Sequence, residues 1–192
     1  RTPGMTIGIV VVFALGVGAN ATILQIIDRL MLRPPDFVVD AASVNRIVTD
    51  RSDVRQGERT QSEYLTYPDY LDLRGAKSFS AVAGYAPREL TIGHGDGAHL
   101  AQTVLATGDY FDLIGVRPHA GRFFTNEEAR LGGERVVVVG HGYWQRQLGG
   151  APDVIGRTVE LAGNPYTIIG VAPTGLTTID LTPAELWFPL EV

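Results

Sequence analysis

The chain has 192 residues, 45% of them hydrophobic, and 16 Lys and Arg against 21 Asp and Glu give a formal charge of −5. With no basic run anywhere, that balance argues against a nucleic-acid partner, because domains that bind phosphate backbones concentrate positive charge on one face. The absence of cysteine excludes disulfides, thiolate catalysis and Cys-ligated zinc, and leaves the redox compartment open.

The chain begins on Arg1 without an initiator Met and is expected to be a fragment. From Met5 to Ile27 it carries no ionisable side chain, about 23 residues where roughly 20 suffice to cross a bilayer. Its many Val, Ile, Leu and Phe, each favourable by about 0.3–0.6 kcal/mol on an insertion scale, outweigh the penalties of Asn20, Gln25 and the glycines. A cleaved signal peptide would have a shorter apolar core and a small-residue cleavage site. Here the run continues into the amphipathic ILQIIDRLMLRP, so a retained transmembrane helix with a juxtamembrane extension is expected over 1–33. Ala14, Gly18 and Thr22 recur at four-residue spacing, a small-residue stripe that lets another helix approach closely, and Asn20 is read as lying beside it in need of a polar partner. Arg1 before the helix and Arg29 and Arg33 after it mark orientation only weakly.

Pro34 and Pro35 should end the helix and open a domain over 34–192, long enough for a core of its own. Alternation in Ser43–Thr49 predicts a strand, and the polar DRSDVRQGERTQSE that follows predicts a solvated loop. Tyr67–Arg74 reads as a short helix with Thr66 as N-cap and Pro68 in its first turn. Strands are expected at Phe79–Ala86, Arg88–Ile92 and, after a GHGDG turn, His99–Ala106. Gly108–Gly115 should make a helical turn closed by its glycine, and Arg135–Val139 a strand covered on both faces. Gly142–Leu148 should be a helix ended by Gly149 and Gly150. Thr158–Leu161 and Tyr166–Val171 should pair across Ala162–Pro165, and Leu186–Leu190 should add a last strand. The sum is a mixed, mostly antiparallel α+β domain, with length enough for one compact domain or two small subdomains.

Candidate chemistry is sparse. Of the four histidines, His94 and His99 bracket a turn holding Asp96 and could in principle share a metal, but their spacing matches no ligand signature and turn polarity is the simpler reading. His141 stands at a helix entrance, where capping or packing explains it as well as acid–base chemistry. Asp69 with Asp72, and Glu127 with Glu128, are carboxylate pairs that fit the first turns of short helices without catalysis. There is neither a G-x-S-x-G elbow nor an H-E-x-x-H, and no glycine run sits in a phosphate-binding context. No catalytic residue, metal or cofactor is expected.

Several segments taken in order carry a resemblance: ALGVGANATILQIIDRLMLRP, TYPDYLDLR, GDYFDLIGVRPHAGRFFTNEE, RVVVVGHGYWQRQLGGAPDVIGRTVELAGNPYTIIGVAP and LWFPL. Within them stand Gly115-Val116, Pro118, Gly121-Arg122, Trp144, Ile155-Gly156 and Ile169-Gly170-Val171. Together they resemble the MacB/FtsX-type permeases of ABC transporters, most closely the acidobacterial-type duplicated orphan permeases, from Thr2 to Val192. The resemblance implies a first transmembrane helix with a cytoplasmic N-terminus in the bacterial inner membrane, followed by a MacB-like periplasmic core domain of two mixed α/β subdomains. It further implies permease helices beyond this fragment, a second permease copy or half, and ATP hydrolysis on a separate ATP-binding subunit. The helix and its extension would then couple a cytoplasmic conformational change to the outer domain. The competing expectation is the extracytoplasmic sensory or ligand-binding domain of a membrane-anchored receptor. A membrane-tethered hydrolase would require His94, His99 or His141 to converge with carboxylates.

Overall fold

A computed structural model describes residues 3–28, 37–52, 59–62, 64–178 and 183–190. The chain divides into two compact units, Arg1–Asp36 and Phe37–Val192.

The first unit contains one helix, α1 (Pro3–Ile27). Apart from Thr6, Ile26 and Ile27, all its side chains are described, and all of these are exposed. With only a few scattered polar residues and no charge, α1 has no broad polar side to turn to water, and it is long and apolar enough to cross a membrane. The expected stop at Pro34 and Pro35, and the extension through Arg33, lie outside the described residues.

In the second unit a small antiparallel pair, β1 (Thr49–Ser52) with β2 (Arg59–Ser62), precedes α2 (Tyr67–Gly75). The expected strand at Ser43–Thr49 does not form: 43–48 are irregular, and pairing begins only at Thr49, opposite Ser62. Alternation is a local signal, whereas a strand exists only where another backbone satisfies its hydrogen bonds. The pairing therefore falls on the two ends of the stretch read as a loop; the middle of that stretch, 53–58, is outside the described residues. The α2 start is as expected. The Thr66 and Asp69 side chains and backbone N–H groups form a reciprocal capping box, with Thr66 N–H donating to Asp69 Oδ2 at 2.9 Å.

The main sheet contains β3 (Tyr85–Ile92), β4 (His99–Ala106), β5 (Ala120–Gly121), β6 (Val136–Val139), β7 (Thr158–Leu161), β8 (Asn164–Val171) and β9 (Leu186–Pro189). Helix α3 (Tyr110–Ile114) follows β4, and α4 (His141–Gln147) follows β6. One strand replaces the two expected at Phe79–Ala86 and Arg88–Ile92. Pro87 is tolerated inside β3 because that strand pairs with β4 along one edge while its other edge meets β7 only at Ile92↔Leu161.

The strand order β8-β6-β9-β4-β3-β7 closes on itself through β7–β8, and β7 and β5 share the second edge of β8. The pairings β4–β9 and β6–β8 are parallel and the others antiparallel, so the sheet is mixed and mostly antiparallel. The β7–β8 turn is tighter than expected. Leu161 pairs with Asn164, leaving Ala162 and Gly163 as a two-residue turn with φ of 50° and 78°, the primed geometry whose twist suits a hairpin.

Alternation within the ring strands builds two cores. Ile92, Ala101, Val137, Val159, Ile168 and Phe188, one from each ring strand, meet in the interior with Tyr143 and Val154. On the other face Val104, Val136, Val138 and Trp187 pack under Tyr110, Phe111 and Ile114 of α3 and under Phe124. Helix α3 ends at Gly115, whose φ of 76° suits glycine, as the sequence indicated. Residues 126–129 form turns rather than the short helix expected around Glu127 and Glu128.

Candidate functional site

The small residues of α1 stay on one stripe. At roughly 100° per residue, Ala14, Gly18 and Thr22 drift by about 40° at each step. Asn20 lies two positions from both Gly18 and Thr22, roughly 200° round, so it sits on the opposite face rather than beside the stripe. The Thr22 hydroxyl is used within the helix, donating to Gly18 O at 2.9 Å.

The expected histidine positions separate. His94 stands on the β3–β4 turn with Nδ1 2.7 Å from Glu160 Oε2 of β7. His99 opens β4, with Nδ1 3.3 Å from Gly97 O and its ring stacked against Tyr143 at 6.1 Å. Among the described residues no three His, Asp or Glu side chains come together as metal ligands. His141 does not cap α4 with its side chain; it packs instead, its ring 5.0 Å from that of His119 and 5.3 Å from Trp144. His119 was not singled out in the sequence, and no spacing rule would have linked it to His141.

The carboxylates are held by structural partners. Asp69 belongs to the α2 cap, and Glu128 receives Arg122 through two bonds, NH1 to Oε2 at 2.9 Å and NH2 to Oε1 at 2.7 Å. The Thr125 backbone N–H also donates to Glu128 Oε2 at 2.8 Å. Mainly through Arg122, and despite burial, the Glu128 carboxyl is held below the usual carboxylate range, and Arg122 is raised in turn. Asp72 and Glu127 are exposed. Burial, with a smaller effect from Glu185, raises the Tyr143 phenol.

A shallow groove of about 450 Å³ runs between α3 and the 116–126 segment, with Asp109, Asp112, Arg117, Arg122 and Phe123 among its walls. Two of its charges are already paired: Arg122 with Glu128, and Asp109 with Arg74 at 3.4 Å and with the Asn126 amide. Phe123 stacks on Phe111 at 3.8 Å. The groove is thus braced by its own ion pairs and rings, an arrangement suited to fixing a surface shape.

Residues 4–192 match the family described as the MacB-like periplasmic core domain, a span that runs through α1 and the whole sheet. The chain belongs to that family. Solved relatives of the MacB-like fold include the extracellular domain of the noncanonic ABC-type transporter YknZ from Gram-positive bacteria, 22% identical with a TM-score of 0.54 over 66% of this chain and 63% of that one. The periplasmic region of MacB from Actinobacillus actinomycetemcomitans is 19% identical with a TM-score of 0.53, over 74% of this chain and 63% of that one. At such identities the likeness is one of fold. This MacB-like chain covers about 63% of the length of each of those structures. No curated protein sequence matches it. An apolar helix followed by a mixed α+β domain is therefore the MacB-like architecture expected from the sequence.

Proposed function

We propose that this chain is the first membrane helix and extracytoplasmic domain of an ABC transporter permease subunit of the MacB/FtsX type, and that it performs no catalysis itself. The observation that carries the reading is the single family match over 4–192, which takes in the apolar helix and the sheet domain together. Two features support it: the described side chains of α1 are exposed on every face, and Asp69 and Glu128 are committed to a cap and an ion pair.

In this role α1 crosses the bacterial inner membrane and the domain stands on the extracytoplasmic side. The remaining permease helices, a second permease copy or half and a separate ATP-binding subunit complete the assembly, in a permease of the acidobacterial-type duplicated group. Conformational change driven by ATP in the cytoplasm reaches the domain through the chain leaving α1, a relay between two states that supports export or other extracytoplasmic work.

The test uses the parent permease with its ATP-binding subunit in membrane vesicles. Replacing 28–34 with a flexible Gly-Ser segment should preserve assembly and ATP hydrolysis but abolish transport. Unchanged transport would sink the coupling role, and failure of the parent to co-purify with any ATP-binding subunit would sink the permease reading.

A further inference from the structure

His119 and His141 meet beside Trp144, which packs against the interior core, and the permease reading does not use the histidine pair. His119 is exposed just ahead of β5, His141 is half-buried as the first residue of α4, and Trp144 lies one turn further on. The two imidazole centroids are 5.0 Å apart with their planes at 89°, and Trp144 is 5.3 Å from each. None of the four imidazole nitrogens has a hydrogen-bond partner among the described residues, unlike His94 and His99, which both have one.

Their backbones are held by one neighbourhood of the sheet. The His119 N–H donates to Val171 O at 2.7 Å, and Val139, two residues before His141, pairs with the same Val171 in parallel register. Gly140 N–H donates to Glu185 O at 2.7 Å, fixing the entrance to α4. Trp144 is pinned by its Nε1–H donating to Ala151 O at 2.9 Å. The imidazole pair is therefore set in place by β6 and β8 rather than by flexible loops.

Metal–nitrogen bonds of about 2.0–2.1 Å and a roughly tetrahedral angle at the ion put two imidazole centroids about 5 Å apart. We propose that His119 and His141 form a two-histidine site for a divalent transition-metal ion of the Zn²⁺ or Cu²⁺ kind, with water filling the other positions. Imidazole nitrogen suits these ions. No third protein ligand joins the pair among the described residues, so the site is open and exchangeable. The amino-terminal end of α4 carries the positive end of the helix dipole and opposes a cation, which weakens binding at His141. A bound ion would tie the segment entering β5 to α4.

The test is a titration of the full chain in detergent with Cu²⁺, read by tryptophan fluorescence and competed with Zn²⁺. The expected result is a saturable one-to-one quench carried mainly by Trp144, which lies 5.3 Å from both rings, and so reduced but not abolished in Trp144→Phe, because Trp187 packs beside Gly140. His119→Asn and His141→Asn should each weaken binding by roughly tenfold or more, with unfolding of the metal-free chain unchanged, whereas His94→Asn should leave the quench unaltered. In the unsubstituted chain Zn²⁺ should raise the thermal midpoint, an effect lost in both site variants. A quench that does not saturate, or that survives both substitutions, overturns the site and leaves the rings as an edge-to-face packing contact.

Discussion

Helix α1 and strand β6 are both predominantly apolar runs without a charged residue, yet they meet opposite fates. The described side chains of α1 are exposed, whereas Val136, Val137, Val138 and Val139 of β6 are all buried. The difference lies in neighbours rather than in hydrophobicity. Strand β6 pairs with β8 on one edge and β9 on the other, and its alternating side chains feed two cores, Val137 and Val139 into the ring interior and Val136 and Val138 under α3. A predominantly apolar helix whose described side chains are exposed is suited to lipid.

The sharpest way to break this comparison is to put a charge in each run. Val138→Asp buries an unpaired carboxylate and should cost more than about 4 kcal/mol, unfolding the domain in a circular-dichroism melt while α1 still inserts. Val11→Arg should cost about 2.5–3.5 kcal/mol of insertion, measured by membrane partitioning, and leave the melting of the domain unchanged. If both changes damaged the same property, the two runs would not be doing different jobs.

Glycines give the next contrast. A Cβ on Gly170 would lie 2.1 Å from Arg122 O, where β5 crosses β8, while a Cβ on Gly18 of α1 meets nothing within 4 Å. Gly170→Ala should cost about 2–3 kcal/mol in denaturant unfolding, and Gly18→Ala should leave that unfolding unchanged. Because Gly18 belongs to the small-residue stripe, any effect of Gly18→Ala should appear only in association with other membrane helices.

A smaller effect belongs to Glu128. Its proton is held more weakly in the folded protein than in the unfolded chain, so its stabilisation is complete above the unfolded value of about 4.3 and is lost as pH falls through the lower folded value. The thermal midpoint should therefore fall more steeply with acidification below about pH 4.3 in the unsubstituted protein than in Glu128→Gln. At neutral pH that variant should be less stable by about 1–2 kcal/mol. The least of the set is Thr66→Ala, which removes half of the α2 capping box; about 1 kcal/mol should be lost, visible as faster amide exchange in the first turn of α2.

What was legible in the sequence was local. The α2 cap at Thr66, the left-handed Gly115 and the doubly covered Val136–Val139 strand each announce themselves within a few residues. What was not legible depended on distant partners. Pro87 seemed to divide two strands because nothing nearby reveals that the edge of β3 beside it is unpaired. The start of β1 is set by β2 across the intervening segment, and the ring closes only because Thr158–Leu161 also reaches Ile92. His119 and His141 meet through the β6–β8 pairing, which no spacing in the chain encodes. The placing of Asn20 was a different failure, since helical geometry alone puts it opposite Gly18.

Closing the sheet into a ring also governs how copies of the domain behave beside one another. An open strand edge is a template that neighbouring chains can extend, and a domain tethered to a surface meets its own copies often. Here the edge of β3 left free before Ile92 carries Pro87, which has no N–H to offer, followed by the exposed charges of Arg88 and Glu89. The other outlying strand, β5, is only two residues long. Among the described residues the ring thus leaves little adhesive backbone, and Pro87→Val would restore a donor to the free edge of β3, from which aggregation could grow.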